Sequence, residues 1–159
     1  MVAVGRKLVA KAELIATEAH YGQNDKAGFP FIDHPRRVAA RFDASRQSFE
    51  AATAWLHDVL EDTSLTADDL REEGIPEEVV CAVEALTEHR NPSDREAFYE
   101  RIRSNPLALV VKAAIVADHT DPMRLAHLPE EIRAMRLLKY ADASIALGLE
   151  DAFAPDASA

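Results

Sequence analysis

Cysteine is almost missing from this chain: one in 159 residues, Cys81. That excludes an intrachain disulfide framework and fits a reducing compartment. Glycine and proline number only five and eight, so a collagen-like or low-complexity chain is excluded. No apolar run approaches membrane-spanning length. Met1 to Ala19 is interrupted by Arg6, Lys7, Lys11, Glu13 and Glu18, which leaves no signal-peptide core and points to the cytoplasm, with no membrane partner. Strand alternation, Asn-Gly or Asp-Gly hairpins and internal repeats are absent. Positive charge is scarce, with 18 Lys and Arg against 28 Asp and Glu. A net charge of −10 argues against a nucleic-acid polymer as partner.

Hydrophobic residues make up 48% of the chain, enough for one globular domain with a real core. We expect that domain over residues 1–153 and a frayed tail over 154–159. The charge is uneven. Residues 1–46 hold 8 Lys and Arg against 5 Asp and Glu, and the remainder holds 10 against 23. A basic N-terminal third suits either a solvated helix face or an anionic small molecule.

Helical periodicity dominates. Leu8, Val9, Ala12, Ile15, Ala16 and Ala19 form one stripe. Gly22, Gly28 and Pro30 mark a loop, and Pro35 opens a helix to about Phe42. Ser45 or Ser48 can cap the next helix, which turns Phe49, Ala52, Trp55, Leu56 and Val59 inward. Thr66 to Asp69 reads as an N-cap with an acidic first turn. Cys81 lies in an apolar helical pattern and reads as a small core residue. Asn105-Pro106 restarts the chain before a nearly all-apolar helix that carries Lys112. Pro129 opens the last helix, with Ile132, Met135, Leu138, Ala141, Ile145 and Leu149 inward. The expected fold is all-α, a single domain of about seven to nine helices.

The chemistry concentrates in His57-Asp58-Val59-Leu60-Glu61-Asp62-Thr63 and in Asp33-His34-Pro35. An adjacent His-Asp pair offers a divalent ion one imidazole nitrogen and one carboxylate oxygen, although on an ideal helix the two point about 100° apart. Glu61 and Asp62 follow one turn later and can hold or deprotonate water. Taken singly, each has an ordinary reading. Glu61 and Asp62 fit a solvated helix end, His57 a hydrogen-bonded core residue, and His34 a turn or cap held extended by Pro35.

In combination these stretches resemble one branch of the HD-domain phosphohydrolases. Residues 19–41 are similar to that branch's opening, and Leu56 to Thr63 to its central motif. The likeness continues through Asn105 to Ala108, Val111 to Ala114 and Lys139-Tyr140. The branch includes the hydrolase half of bifunctional (p)ppGpp synthetase/hydrolases and the small stand-alone alarmone hydrolases. The resemblance implies the all-α HD fold and a phosphorylated small-molecule substrate, a nucleotide with alarmone as first candidate. It also implies a divalent metal, usually manganese. His34, His57 and Asp58 match three of four ligands. Glu61 and Asp62 match the pair that positions and activates water, and Lys26 matches a basic loop residue that meets phosphate or nucleobase. Arg36 and Arg37 suit either substrate neutralisation or a solvated face.

One position breaks the pattern. Where the branch carries its fourth ligand, an aspartate, this chain has Ile115. Four residues on, where an asparagine commonly faces the nucleotide, it has His119. Asp118 or His119 shares a helix face with Ile115 and is a candidate replacement, though displaced ~4.5 or ~6 Å along the axis. Two other readings stand beside the enzyme. One is a pseudoenzyme that binds a nucleotide or partner without turnover, and the other a purely structural helical domain. Sequence leaves the oligomeric state open.

Overall fold

A short helix of small residues occupies the centre of the molecule. The computed structural model describes residues 2–89 and 91–149, so the tail expected over 154–159 lies outside the described residues. The order is α1 (Val2–Ala19), α2 (Asp33–Ala39), α3 (Ser48–Leu56), α4 (Val59–Asp62), α5 (Ala67–Glu72), α6 (Glu77–Leu86), α7 (Arg95–Arg103), α8 (Pro106–His119), α9 (Pro122–Leu125) and α10 (Glu130–Leu147). A 3-10 turn, Pro92–Asp94, precedes α7. Counting α3 and α4 as one interrupted helix leaves nine α-helices among the described residues, at the upper end of the expected number. No strand occurs among them; the β geometry there is an isolated bridge between Asn24 and Pro30.

Every residue from Ala51 to Leu56 is buried, including the chain's one tryptophan, Trp55. Four of these six are Ala or Thr, so backbones approach closely. α3 packs on α1, α2, α6 and α8. At the crossing with α1 the approach leaves little room beyond a hydrogen, since a Cβ on Gly5 would lie 3.0 Å from Ser48 Cβ and Ser48 would have to give way. Leu56, Val59, Val79, Val80, Val83, Ile102 and Val111 complete the core at zero exposure. Full burial of a side chain of the Val, Leu or Ile type contributes about 1.5–3 kcal/mol.

Local chemistry sets several boundaries. Thr66 and Asp69 form a reciprocal capping box at α5. The Asn105 side chain accepts from the Ala108 amide at 3.0 Å, and Pro106 occupies the first turn of α8. Neither Ser45 nor Ser48 caps α3. Gln47 holds that position without a side-chain bond, and Ser45 bonds instead to Asp43, whose carboxylate organises the preceding turn.

Three burial expectations are corrected. Cys81 is exposed, with its thiol 3.5 Å from Glu77 Oε1. Phe49 is exposed as well. On α10, Met135, Leu138, Ala141 and Ile145 face outward, while Tyr140, Ala143 and Leu147 are buried; Leu149, just past the helix, is buried as expected. Two apolar stripes run along α10. The stripe that packs is the one whose tyrosine reaches the rings described next.

Candidate metal centre

The interruption between α3 and α4 falls on His57 and Asp58. His57 Nδ1 lies 2.6 Å from the Ala54 carbonyl oxygen, the acceptor that regular helix geometry reserves for the Asp58 amide. The side chain thus competes with the main-chain ladder. Asp58 adopts φ −105° and ψ −2°, in the bridge region. The bend replaces the ideal splay with convergence: His57 Nε2 lies 2.9 Å from Asp58 Oδ2.

α2 brings the third group. His34 Nε2 lies 3.1 Å from His57 Nε2 and 4.0 Å from Asp58 Oδ2. Both histidines are buried, at 4% and 3% exposure. Behind His34, Nδ1 lies 2.6 Å from Asp118 Oδ2. A carbonyl and an ionised carboxylate only accept hydrogen bonds, so both Nδ1 atoms carry hydrogen. In the neutral rings each Nε2 then presents a lone pair, and the two lone pairs face Asp58. Three acceptors turned on one point suit a proton or a metal ion. His34, His57 and Asp58 can share one ion, their donor atoms lying within 4.8 Å of one another. Two imidazoles and one carboxylate form a set suited to a divalent transition ion.

The electrostatics follow the same geometry. Burial lowers His34, and neighbouring His57 adds to this against the Asp118 hydrogen bond. Burial opposes protonation of His57 too, but the adjacent Asp58 carboxylate outweighs it and raises the ring. Burial would raise Asp58; His57 and His34 beside it hold the carboxyl well below the usual carboxylate range. Asp118 is likewise held low, against burial, by His34 and by Arg37, whose Nε donates to it at 2.8 Å and Nη2 at 3.2 Å.

Glu61 and Asp62 follow on α4. With Asp58 they form a second group whose oxygens lie within the same reach. Glu61 is pushed up by burial and by the Asp58, Asp62 and Glu88 carboxylates, although its Oε1 accepts from the Glu88 amide at 2.8 Å. The Gln23 side chain ties this turn to the loop before α2: Nε2 donates to the Asp62 carbonyl at 3.0 Å, and the other end meets His20 Nδ1 at 2.9 Å.

Ile115 is buried in the cavity wall that also carries His57, Asp58, Glu61 and Asp62. Neither candidate replacement joins the ligand group. Asp118 sits on the far nitrogen of His34. His119 stacks on His34 with centroids 4.1 Å apart and on Tyr140 at 4.9 Å. Burial, reinforced by His34, pushes His119 well down, so the ring is neutral.

A neighbouring cavity of about 200 Å³ is lined by Lys26, His34, His119, Arg124 and Arg136. Lys26 therefore stands beside the candidate centre. Arg36 does not line either cavity; its guanidinium pairs on the surface with Asp33, one turn away. Sequence reasoning missed Arg124, Arg136 and the role of Asp118 behind His34. Arg124 and Arg136 lie on elements with no motif of their own, so no spacing singled them out. Lys112, which interrupts an apolar run in the sequence, lines the cavity that carries His57 and Asp58.

No protein-family model matches the chain. It is 36% identical over 118 residues to a guanosine-3′,5′-bis(diphosphate) 3′-pyrophosphohydrolase of Haemophilus influenzae, which covers 70% of the chain and 17% of that relative. To the bifunctional (p)ppGpp synthase/hydrolase SpoT of Escherichia coli it is 33% identical over 126 residues, 74% of the chain and 18% of the relative. To the GTP pyrophosphokinase rsh of Brucella melitensis it is 31% identical over 140 residues, 87% and 16%. The chain thus spans less than a fifth of the length of these relatives. A solved structure described as a metazoan ortholog of SpoT that hydrolyzes ppGpp superposes with a TM-score of 0.72 at 19% identity, covering 88% of this chain and 85% of the other. That likeness establishes a shared all-α fold.

Proposed function

We propose that this chain, an HD-domain protein of the (p)ppGpp hydrolase-like branch, is a metal-dependent phosphohydrolase acting on a nucleotide, with a (p)ppGpp-like 3′-pyrophosphate as the first substrate to test. One observation carries the reading: two buried Nε2 atoms 3.1 Å apart, each with its Nδ1 committed as a donor, face a carboxylate held ionised. His34, His57 and Asp58 would hold the ion, manganese by resemblance. When bound, it supplies Lewis acidity at a phosphoryl oxygen and lowers the pKa of water.

The other roles belong to the chain's own groups. Glu61, raised by its environment, is suited to take a proton from the attacking water at a carboxylate oxygen. Asp62 orients that water. The Glu88 amide fixes Glu61, and Gln23 fixes the turn that carries both. Lys26 neutralises phosphate from the adjoining cavity, and the neutral His119 ring stands in its wall where a substrate ring or phosphate enters. The single cysteine and the bacterial relatives support a cytoplasmic setting.

Ile115 favours a second reading, a binder without turnover. Both readings are tested by measuring manganese-dependent pyrophosphate and phosphate release from ppGpp and a nucleotide panel. The natural chain, Glu61→Gln and Ile115→Asp are compared. We expect turnover by the natural chain, a loss of about 10²–10⁴-fold in Glu61→Gln and tighter manganese binding in Ile115→Asp. Turnover confined to Ile115→Asp establishes the binder instead.

A further inference from the structure

We propose that the Lys112 ammonium is the cation that meets the reacting phosphoryl group inside the metal cavity, an inference that rests on the phosphohydrolase reading above. An anion entering this cavity of about 150 Å³ passes four carboxylates: Asp58, Glu61, Asp62 and Glu88. One bound divalent ion does not offset them all, so a protein cation is required close to the reacting group. The wall contains two lysines, Lys112 and Lys139. Lys139 is half-exposed and already lies 3.4 Å from Glu88. Lys26 lines the adjoining cavity but not this wall.

Lys112 is different. It is 8% exposed on α8. Its Nζ lies over the Phe98 ring at 5.3 Å and the Tyr140 ring at 5.9 Å, with no protein hydrogen bond or ion pair among the described residues. Two aromatic faces hold the cation electrostatically but accept none of its three N–H groups in normal hydrogen-bond geometry. Ile115, three residues on and on the same face of α8, offers no acceptor. Burial pushes the amine down to about 8, which leaves it mainly charged at neutral pH. The ammonium thus reaches the cavity surface with its hydrogens uncommitted, and the Glu88, Asp58 and Glu61 carboxylates favour its charge without bonding it. The same donor is suited to a phosphoryl oxygen, which completes its hydrogen bonding. Packing alone gives no reason for the charge, because methionine fills the same slot between two rings.

Lys112→Met tests this. Affinities for manganese alone, and for inorganic phosphate at saturating manganese, are measured by calorimetry on the natural chain and the variant. We expect phosphate affinity to fall about ten- to a hundredfold, the worth of one charge-assisted hydrogen bond, with manganese affinity kept or slightly tightened. Unchanged phosphate affinity overturns the proposal and leaves the phosphohydrolase reading intact. A parallel loss of manganese binding also overturns it, in favour of a structural role. No manganese binding by the natural chain removes both. A second measurement needs no variant. Acylation of Lys112 in the natural chain, read by peptide mapping, is slowed several-fold by phosphate with manganese relative to manganese alone. Equal labelling rates overturn the assignment.

Discussion

Asp118 acts through another side chain. It fixes the His34 tautomer and is itself fixed by Arg37 and, at 3.5 Å, by Arg124 Nε. Asp118→Asn removes the charge that favours Nδ1–H and leaves Arg37 without its partner. We expect manganese affinity to drop about 10–100-fold by calorimetry, while Glu61 and Asp62 are untouched. Lys112 gives a second residue-scale prediction, for stability. Its folded value of about 8 lies below the ordinary 10.5, so the native state loses its proton before the unfolded chain does. The cost of holding the charge is complete below pH 8 and fades as pH rises from there to 10.5. Lys112→Met should therefore be more stable than the natural chain by roughly 2–3 kcal/mol at pH 7. That gain should shrink by pH 9.5, read from urea unfolding at both values.

Elements were legible where one local signal decided them. The Thr66–Asp69 box and the Asn105-Pro106 start are where the sequence placed them, because caps depend on side chains a few residues apart. The break between α3 and α4 was not legible. It follows from a histidine side chain competing for a carbonyl three residues back, and the apolar pattern runs straight through it. That break supplies what helical spacing denied, a common focus for His57 and Asp58. The buried face of α10 was illegible for another reason: its periodicity admits two stripes, and a ring stack from α8 selects between them. Met135→Lys and Leu138→Lys should each change unfolding free energy by no more than about 0.5 kcal/mol in urea titration. A loss of several kcal/mol in either would return that stripe to the core.

For the whole molecule, the proposed ligand atoms come from α2 and from the α3–α4 break, with α8 behind them, so the complete donor set exists only in the folded chain. Manganese at about 100 times its Kd should stabilise the fold by about 2.7 kcal/mol. In a thermal scan this is a rise of about 5–10 °C for a domain of this size. A chelator should abolish the rise, and His57→Ala should not show it. Ile115→Asp should be less stable than the natural chain without metal, having buried a carboxylate near Asp58, and should gain more from manganese.

The chain also contains its own optical reporter. Its one indole, 6% exposed, stands two residues before His57 on the buried face of α3. A paramagnetic ion seated in the site would shorten the excited state of that indole, whereas diamagnetic zinc or magnesium would leave its lifetime long. Emission decay of unlabelled protein can therefore distinguish which cation has entered, without assaying turnover.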